Sequence, residues 1–183
     1  MRARFFRALL RRWERHTPET VRRAQLQILM GVTARAFRAP GQRLWTRPWG
    51  DGLRAYAEYT RAHSRDADVD PERLYALAYA LGIKIHRVTG FRDAADLERL
   101  VFWLYQGIGI AMSGTLPGEI AVSGCYFSAF YAPEQCALMS HLDSGIVGGI
   151  MGGGKLRFTE RLTEGSRRCQ ACLRREEITH EGQ

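Results

Sequence analysis

Phe5, Phe6, Leu9, Leu10 and Trp13 recur at the spacing of one helical stripe, and arginines fill most of the remaining wheel. The first segment is therefore a basic amphipathic helix. Thr17, Pro18 and Glu19 read as cap, first helical position and first turn of a second helix. Its Val21, Ile28, Leu29, Val32 and Ala36 run to about Phe37 before Ala39-Pro40-Gly41 ends it. Trp45 to Gly52 is a loop, and Leu53 to His63 a third helix with Leu53, Tyr56, Ala57 and Thr60 on one side. Asp70-Pro71-Glu72 opens a fourth, and Gly82 fits its stop.

Beyond Gly82 the periodicity changes. Ile83 to Val88 alternates weakly, which predicts a short strand, and Thr89 to Asp93 a turn. Ala94 to Met112 is too long for a strand and reads as a buried helix. Glu119 to Phe127 is a strand and Pro133 to Ile150 a helix broken by Met151 to Gly154. Lys155 to Thr163 is a strand, Glu164-Gly165-Ser166 a turn, and Arg168 to Arg174 a last strand. The expected fold is α+β: N-terminal helices followed by an antiparallel sheet with a helix packed across it. The division is a helical arm over 1–47, a small-molecule-binding domain over 48–174 and a frayed tail over 175–183.

Charge sharpens that division. The 183 residues carry a net charge of +8, but residues 1–47 hold 12 Arg against Glu14 and Glu19, whereas residues 48–183 hold 15 basic and 17 acidic side chains. The body is close to neutral, so a nucleic-acid partner is not expected. The basic helix either docks on the body or meets an anionic membrane or a protein partner. Arg11, Arg12, Glu14 and Arg15 interrupt any apolar signal-peptide core, and no run spans a bilayer, so a cytoplasmic protein, peripheral to a membrane where the arm binds one, is expected.

Candidate chemistry centres on four cysteines, Cys125, Cys136, Cys169 and Cys172, all in the last third of the chain. Four thiolates suit zinc or an iron-sulfur cluster, and packed thiols with one functional group are the alternative. As a strand, Arg168 to Arg174 puts Cys169 with Ala171 and Leu173 and turns Cys172 to the other face. Cys136 sits in the first turn of its helix, where the dipole favours a thiolate nucleophile. Ser140 and Asp143 follow on the same face, while His141 does not, so a cysteine–histidine pair needs a distant partner such as His86. The Gly148 to Gly154 run leads from helix to strand, the wrong sense for a phosphate loop. Tyr126, Phe127, Phe130 and Tyr131 are either core or the wall of a ligand pocket.

The block from Ser123 to Leu173 contains a Cys-bearing strand end, a Pro-Glu helix carrying Cys then Asp, a Gly-rich turn, spaced Arg161, Thr163 and Gly165, and a final Cys strand. Over about residues 83–174 it resembles the C-terminal half of the L-2-amino-thiazoline-4-carboxylic acid hydrolase-like proteins. More loosely it is similar to vinyl-reductase ligand-sensing domains and plastid carotenoid isomerases. The resemblance implies a small-molecule enzyme, hydrolase or isomerase, working through a Cys thiolate or Cys-bound metal, with a non-enzymatic sensing or metal-cluster module as the alternative. Cys136 and Asp143 are then the catalytic candidates, and Arg161, Ser140 and Tyr126 would bind substrate, Arg161 anchoring a carboxylate. Cys125, Cys136, Cys169 and Cys172 would hold iron-sulfur or zinc. Thr163 stands where the sensing domains carry a cysteine ligand, and Cys172 is additional.

Overall fold

Asp70 starts its helix as the local chemistry requires: its side chain accepts the Glu72 N–H at 2.9 Å, with Pro71 in the first position. The helix does not stop at Gly82. In the computed structural model, which describes residues 2–65 and 69–174, it runs from Pro71 to Thr89 and ends at Gly90 with φ 66°. The strand expected over 83–88 does not form. Gly82 is a packing residue: a Cβ there would collide with the Ile146 carbonyl oxygen and lie 2.8 Å from the Gly149 Cα of a second helix. From that partner, a Cβ on Gly145 would lie 2.5 Å from the Tyr75 oxygen, and one on Gly149 2.8 Å from the Ile83 nitrogen. Two backbones are in direct contact, and helical spacing survives the glycine.

In chain order the elements are α1 (Arg2–Arg15), α2 (Glu19–Phe37), α3 (Trp49–His63), α4 (Pro71–Thr89), α5 (Ala94–Gly107), β1 (Ile110–Gly114), β2 (Glu119–Cys125), α6 (Pro133–Met151), β3 (Lys155–Glu160) and β4 (Cys169–Arg174). The α+β expectation holds: helices come first, then an antiparallel sheet ordered β1-β2-β4-β3 with α6 against it. The tail from Arg175 lies outside the described residues.

Other boundaries differ as well: α3 begins at Trp49, directly after Pro48, inside the loop expected over Trp45 to Gly52. The single helix expected over 94–112 is two elements: α5 ends at Gly107, Gly109 turns the chain at φ 79°, and Ile110 begins β1 beside Cys125. Thr17 does not cap α2. Its hydroxyl donates to the Trp13 carbonyl and accepts the Trp103 indole N–H, each at 2.9 Å, tying α1 to α5. The strands expected to reach Phe127 and Thr163 stop at Cys125 and Glu160, each followed by a 3-10 turn.

Each of those two strands carries a β-bulge. In β2 the pairing jumps from Val122 opposite Met112 to Gly124 opposite Ala111, which leaves Ser123 unpaired. Ile120 and Val122 are buried on the inner face, and the extra residue brings Cys125 to that same face. In β3 the jump lies between Phe158 and Glu160, and Arg161 turns inward over the Phe158 ring, 5.1 Å from its centroid. Simple alternation would have put Arg161 outside with Arg157 and Thr159. The outer face, with Ser113, Ser123, Arg157 and Thr159, is exposed, so the sheet has one dry side.

Helix α1 docks on the body. Leu10 is buried, Trp13 stacks on Trp103 at 5.3 Å, Arg7 pairs with Asp96, and Arg99 pairs with Glu14 at 2.7 Å. Leu26, Met30 and Val32 of α2 enter the same core as the residues of α4, α6 and the sheet.

The α4–α6 contact predicts opposite outcomes for two Gly→Ala substitutions. Gly82→Ala should lower stability by about 3 kcal/mol or more, because backbone atoms cannot yield as a side chain can. Gly31→Ala in α2 meets nothing within 4 Å and should gain about 0.5–1 kcal/mol from helix propensity alone. Urea denaturation of both variants measures the two signs, and a neutral Gly82→Ala would refute the direct backbone contact.

Candidate functional site

One face of α6 presents Cys136, Met139, Asp143 and Ile146, with Leu142 beside them, to an interior cavity of about 120 Å³. The other walls are Gln25, Ile28 and Leu29 of α2, Tyr56 of α3, Leu81 and Ile85 of α4, and Leu104 and Tyr105 of α5. Ile110 and Cys125 of the sheet and Phe127, Ser128 and Tyr131 after it close the space. The volume suits about one aromatic ring. Among the described residues no Arg, Lys or His lines it. Ile28, 51% exposed, is the one exposed lining residue among the described residues and marks the opening.

Asp143 is the chemical centre. Its carboxyl is enclosed by protein, and the surface it retains lies on the cavity. Burial lifts it to about 6, against the opposing hydrogen bond donated by the Tyr105 hydroxyl to Oδ1 at 3.0 Å. Tyr105 itself is pushed well above the ordinary phenol, first by burial and then by the carboxylate, so it stays a donor. Tyr131 shares a hydrogen bond with Thr60, and burial raises it likewise. Both atoms of the Gln25 amide are buried without a partner, and the amide fills the space a side chain on Gly107 would need. An unsatisfied buried amide in a cavity wall is a ready group for a ligand to engage.

The thiols behave differently from the expectation. Cys136 is the fourth residue of α6, and its N–H already bonds the Ala132 carbonyl at 3.0 Å, so it lies past the free amides of the helix start. Burial pushes its thiol up rather than down, opposed by the neighbouring Thr163 hydroxyl. Cys125 is pushed up to about 12 by burial, opposed by the Phe127 N–H. Cys169 is also raised by burial, with the Leu162 N–H donating to its sulfur at 3.3 Å. The shift at Cys136 thus runs opposite to the lowered thiol that a helix start alone would give.

The remaining candidates divide clearly. Cys125, Cys136 and Asp143 meet at the cavity. Cys169 is buried on the inner sheet face near Cys136, and Cys172 is on the opposite face between Glu119 and Arg157, as strand alternation implied. The four-cysteine ligand set does not assemble: among the described residues no three His, Cys, Asp or Glu side chains gather as a metal ion would need. Ser140 does not face the cavity; its hydroxyl donates to the Cys136 carbonyl at 2.8 Å. Tyr126 packs on Phe130 at 5.2 Å, outside the lining, whereas Phe127 and Tyr131 are in it. Arg161 lies behind Cys136 and outside the lining. It is held 3.4 Å from Glu164, and its Nε and the Thr163 hydroxyl are buried without well-formed partners. His86 meets the Ile150 carbonyl on the α4–α6 seam and does not pair with Cys136.

Sequence reasoning missed Tyr105, Gln25 and Tyr56. Tyr105 had a signal, as the one phenol inside the apolar run after Val101. Gln25 and Tyr56 had none beyond their helices. Comparison with family models, with curated proteins and with solved structures finds no match to this chain.

The raised thiols predict slow alkylation. With iodoacetamide at pH 7.5, Cys125 and Cys136 should label more slowly than a free cysteine, whose ordinary pKa is about 8.5, and gain rate only at higher pH than the free thiol does. Peptide mass spectrometry reads each site, and Cys136 labelling faster than the free thiol below pH 8 would restore the nucleophile.

Proposed function

We propose that this protein binds a ring-sized organic molecule, neutral or cationic, in the interior cavity and that Asp143 exchanges a proton with it. The carrying observation is a carboxyl near 6 at the wall of an otherwise apolar cavity, held by Tyr105. Such a group is part protonated and part ionised near neutral pH, which suits general acid and base work alike. An N–H or O–H on the ligand would donate to the ionised form, and the unpartnered Gln25 amide would bind a second polar atom. A carboxylate ligand finds no cation in the lining and faces Asp143, so a neutral or amine-bearing ring is favoured over a carboxylate.

Within this reading the small-molecule enzyme of the aminothiazoline-hydrolase-like kind is retained for its Asp143 chemistry rather than its substrate charge. The raised thiols favour a second reading, a ligand-sensing module without turnover. Turnover of bound ligand separates the two, since a sensor returns it unchanged.

Two measurements test the proposal. Because the Asp143 carboxyl titrates higher in the folded chain than in the unfolded one, its ionisation costs stability. That cost is absent below about pH 4, grows as pH rises to about 6 and is constant above. Asp143→Asn should remove this fall, on the order of 3 kcal/mol between pH 4 and 7, in urea titrations compared with the parent. In thermal-shift assays benzylamine and phenol should stabilise the parent more at pH 7.5 than at pH 5. Benzoate should not, and Asp143→Asn should lose the difference. Equal stabilisation of parent and Asn variant at both pH values would refute the role of Asp143.

A further inference from the structure

The cavity opening lies beside exposed apolar side chains, in a part of the chain rich in arginine. Ile28 marks the opening and shares a shallow surface depression with Trp45, Thr20, Arg23, Ala24 and Gln27. Trp45 is 59% exposed, and the loop is held with its indole outward because Gln27 Oε1 accepts the N–H groups of Leu44 and Trp45 at 2.7 and 3.3 Å. Leu81 and Ile85 of α4, half-buried, line the same cavity, and Val88, 50% exposed, continues their helical stripe one turn on. Ile28, Trp45 and Val88, together with Phe5 of α1, are the large exposed apolar side chains among the described residues. Single exposed apolar residues are ordinary; a Trp and an Ile grouped at the opening of an apolar cavity are not.

Charge identifies what covers the patch. Arg43 and Arg47, two residues before and two after Trp45 in the chain, are exposed, and Arg23 lies in the depression, paired with Glu19. At the far end of α4, Gly90 meets the start of α1, with the Ala3 nitrogen 3.9 Å from where a Gly90 side chain would begin. That contact brings the exposed Arg2 and Arg4 at the start of α1 to the end of α4 that carries Val88. An aromatic and aliphatic tip with exposed arginines in its own loop matches the interface of an anionic bilayer, where indole takes the headgroup boundary and guanidinium the lipid phosphates. We infer that the face around Ile28 and Trp45 seats on an anionic lipid surface and turns the cavity opening toward the bilayer. Resting on the cavity reading above, this narrows the ligand to a neutral ring molecule able to partition into the acyl region, in keeping with the largely apolar lining.

The test is co-sedimentation of the full chain with vesicles of phosphatidylcholine alone or with phosphatidylglycerol, at low and physiological salt, with brominated lipid as a quencher of Trp fluorescence. Binding is expected only with phosphatidylglycerol, weakening as salt rises. Arg43→Gln with Arg47→Gln should cut partitioning about tenfold or more, since each basic group near an anionic surface contributes on the order of fivefold. Trp45→Ser should weaken binding, and Trp45→Phe should bind but lose most of the bromine quenching. Circular dichroism confirms that the surface variants fold. No sedimentation with anionic vesicles, equal sedimentation with neutral ones, or charge-driven binding that Trp45→Ser leaves untouched overturns the inference. Benzylamine binding without vesicles reports on the cavity alone, so either reading can fail while the other stands.

Discussion

The contact between α4 and α6 is the constraint on which the other positions depend. Gly82, Gly145 and Gly149 let two helix backbones meet without side chains between them, and Ala78 sits in the same seam. Such an approach fixes both the separation and the rotation of α6, because only its glycine-bearing side can face α4. With that side committed, Cys136, Met139 and Asp143 must face the cavity. The Ser144 hydroxyl accepts the Leu156 N–H at 2.9 Å, which sets β3 against the same helix. The sheet, the seam and the carboxyl are thus one geometric unit.

On that frame the two bulges do the local aiming. A regular β2 with Ile120 and Val122 inside would put Cys125 outside, and a regular β3 would put Arg161 in water. One added residue in each strand reverses both, so a thiol joins the cavity wall and a guanidinium comes to rest on Phe158 behind Cys136. Bulges that re-aim a side chain gather beside functional sites, and here both serve the side of the sheet that faces α6.

Much of the fold was legible in sequence, because the signals used were local. Asp70-Pro71 and Pro133 start helices through their own chemistry, and β4 alternates cleanly between Cys169 and Cys172. What failed was the meaning of glycine. Gly82 carries the same symbol whether it ends a helix or admits a neighbour's backbone, and only the partner, more than sixty residues later, decides. The cavity was half legible. Asp143 and Cys136 share a helix face at a spacing of seven, but burial, which raises both, depends on α5, the β2 bulge and the turns around them. The helix dipole at Cys136 was a valid local argument that a larger non-local term outweighed.

That order of magnitudes sets what the cavity can do. Cys125 and Tyr131 hold their protons far above neutrality, so Asp143 is the lining group that changes charge near pH 6. No basic lining group compensates when it does, and Tyr105 supplies one neutral donor. Below that pH the cavity is an uncharged space that favours an apolar occupant. Above it, a lone carboxylate in low dielectric rewards any ligand that brings a donor or a positive charge and penalises any anion. Selectivity for ligand charge therefore follows from the poverty of the lining in compensating groups. It would be lost if a lysine or arginine were placed close enough to neutralise Asp143.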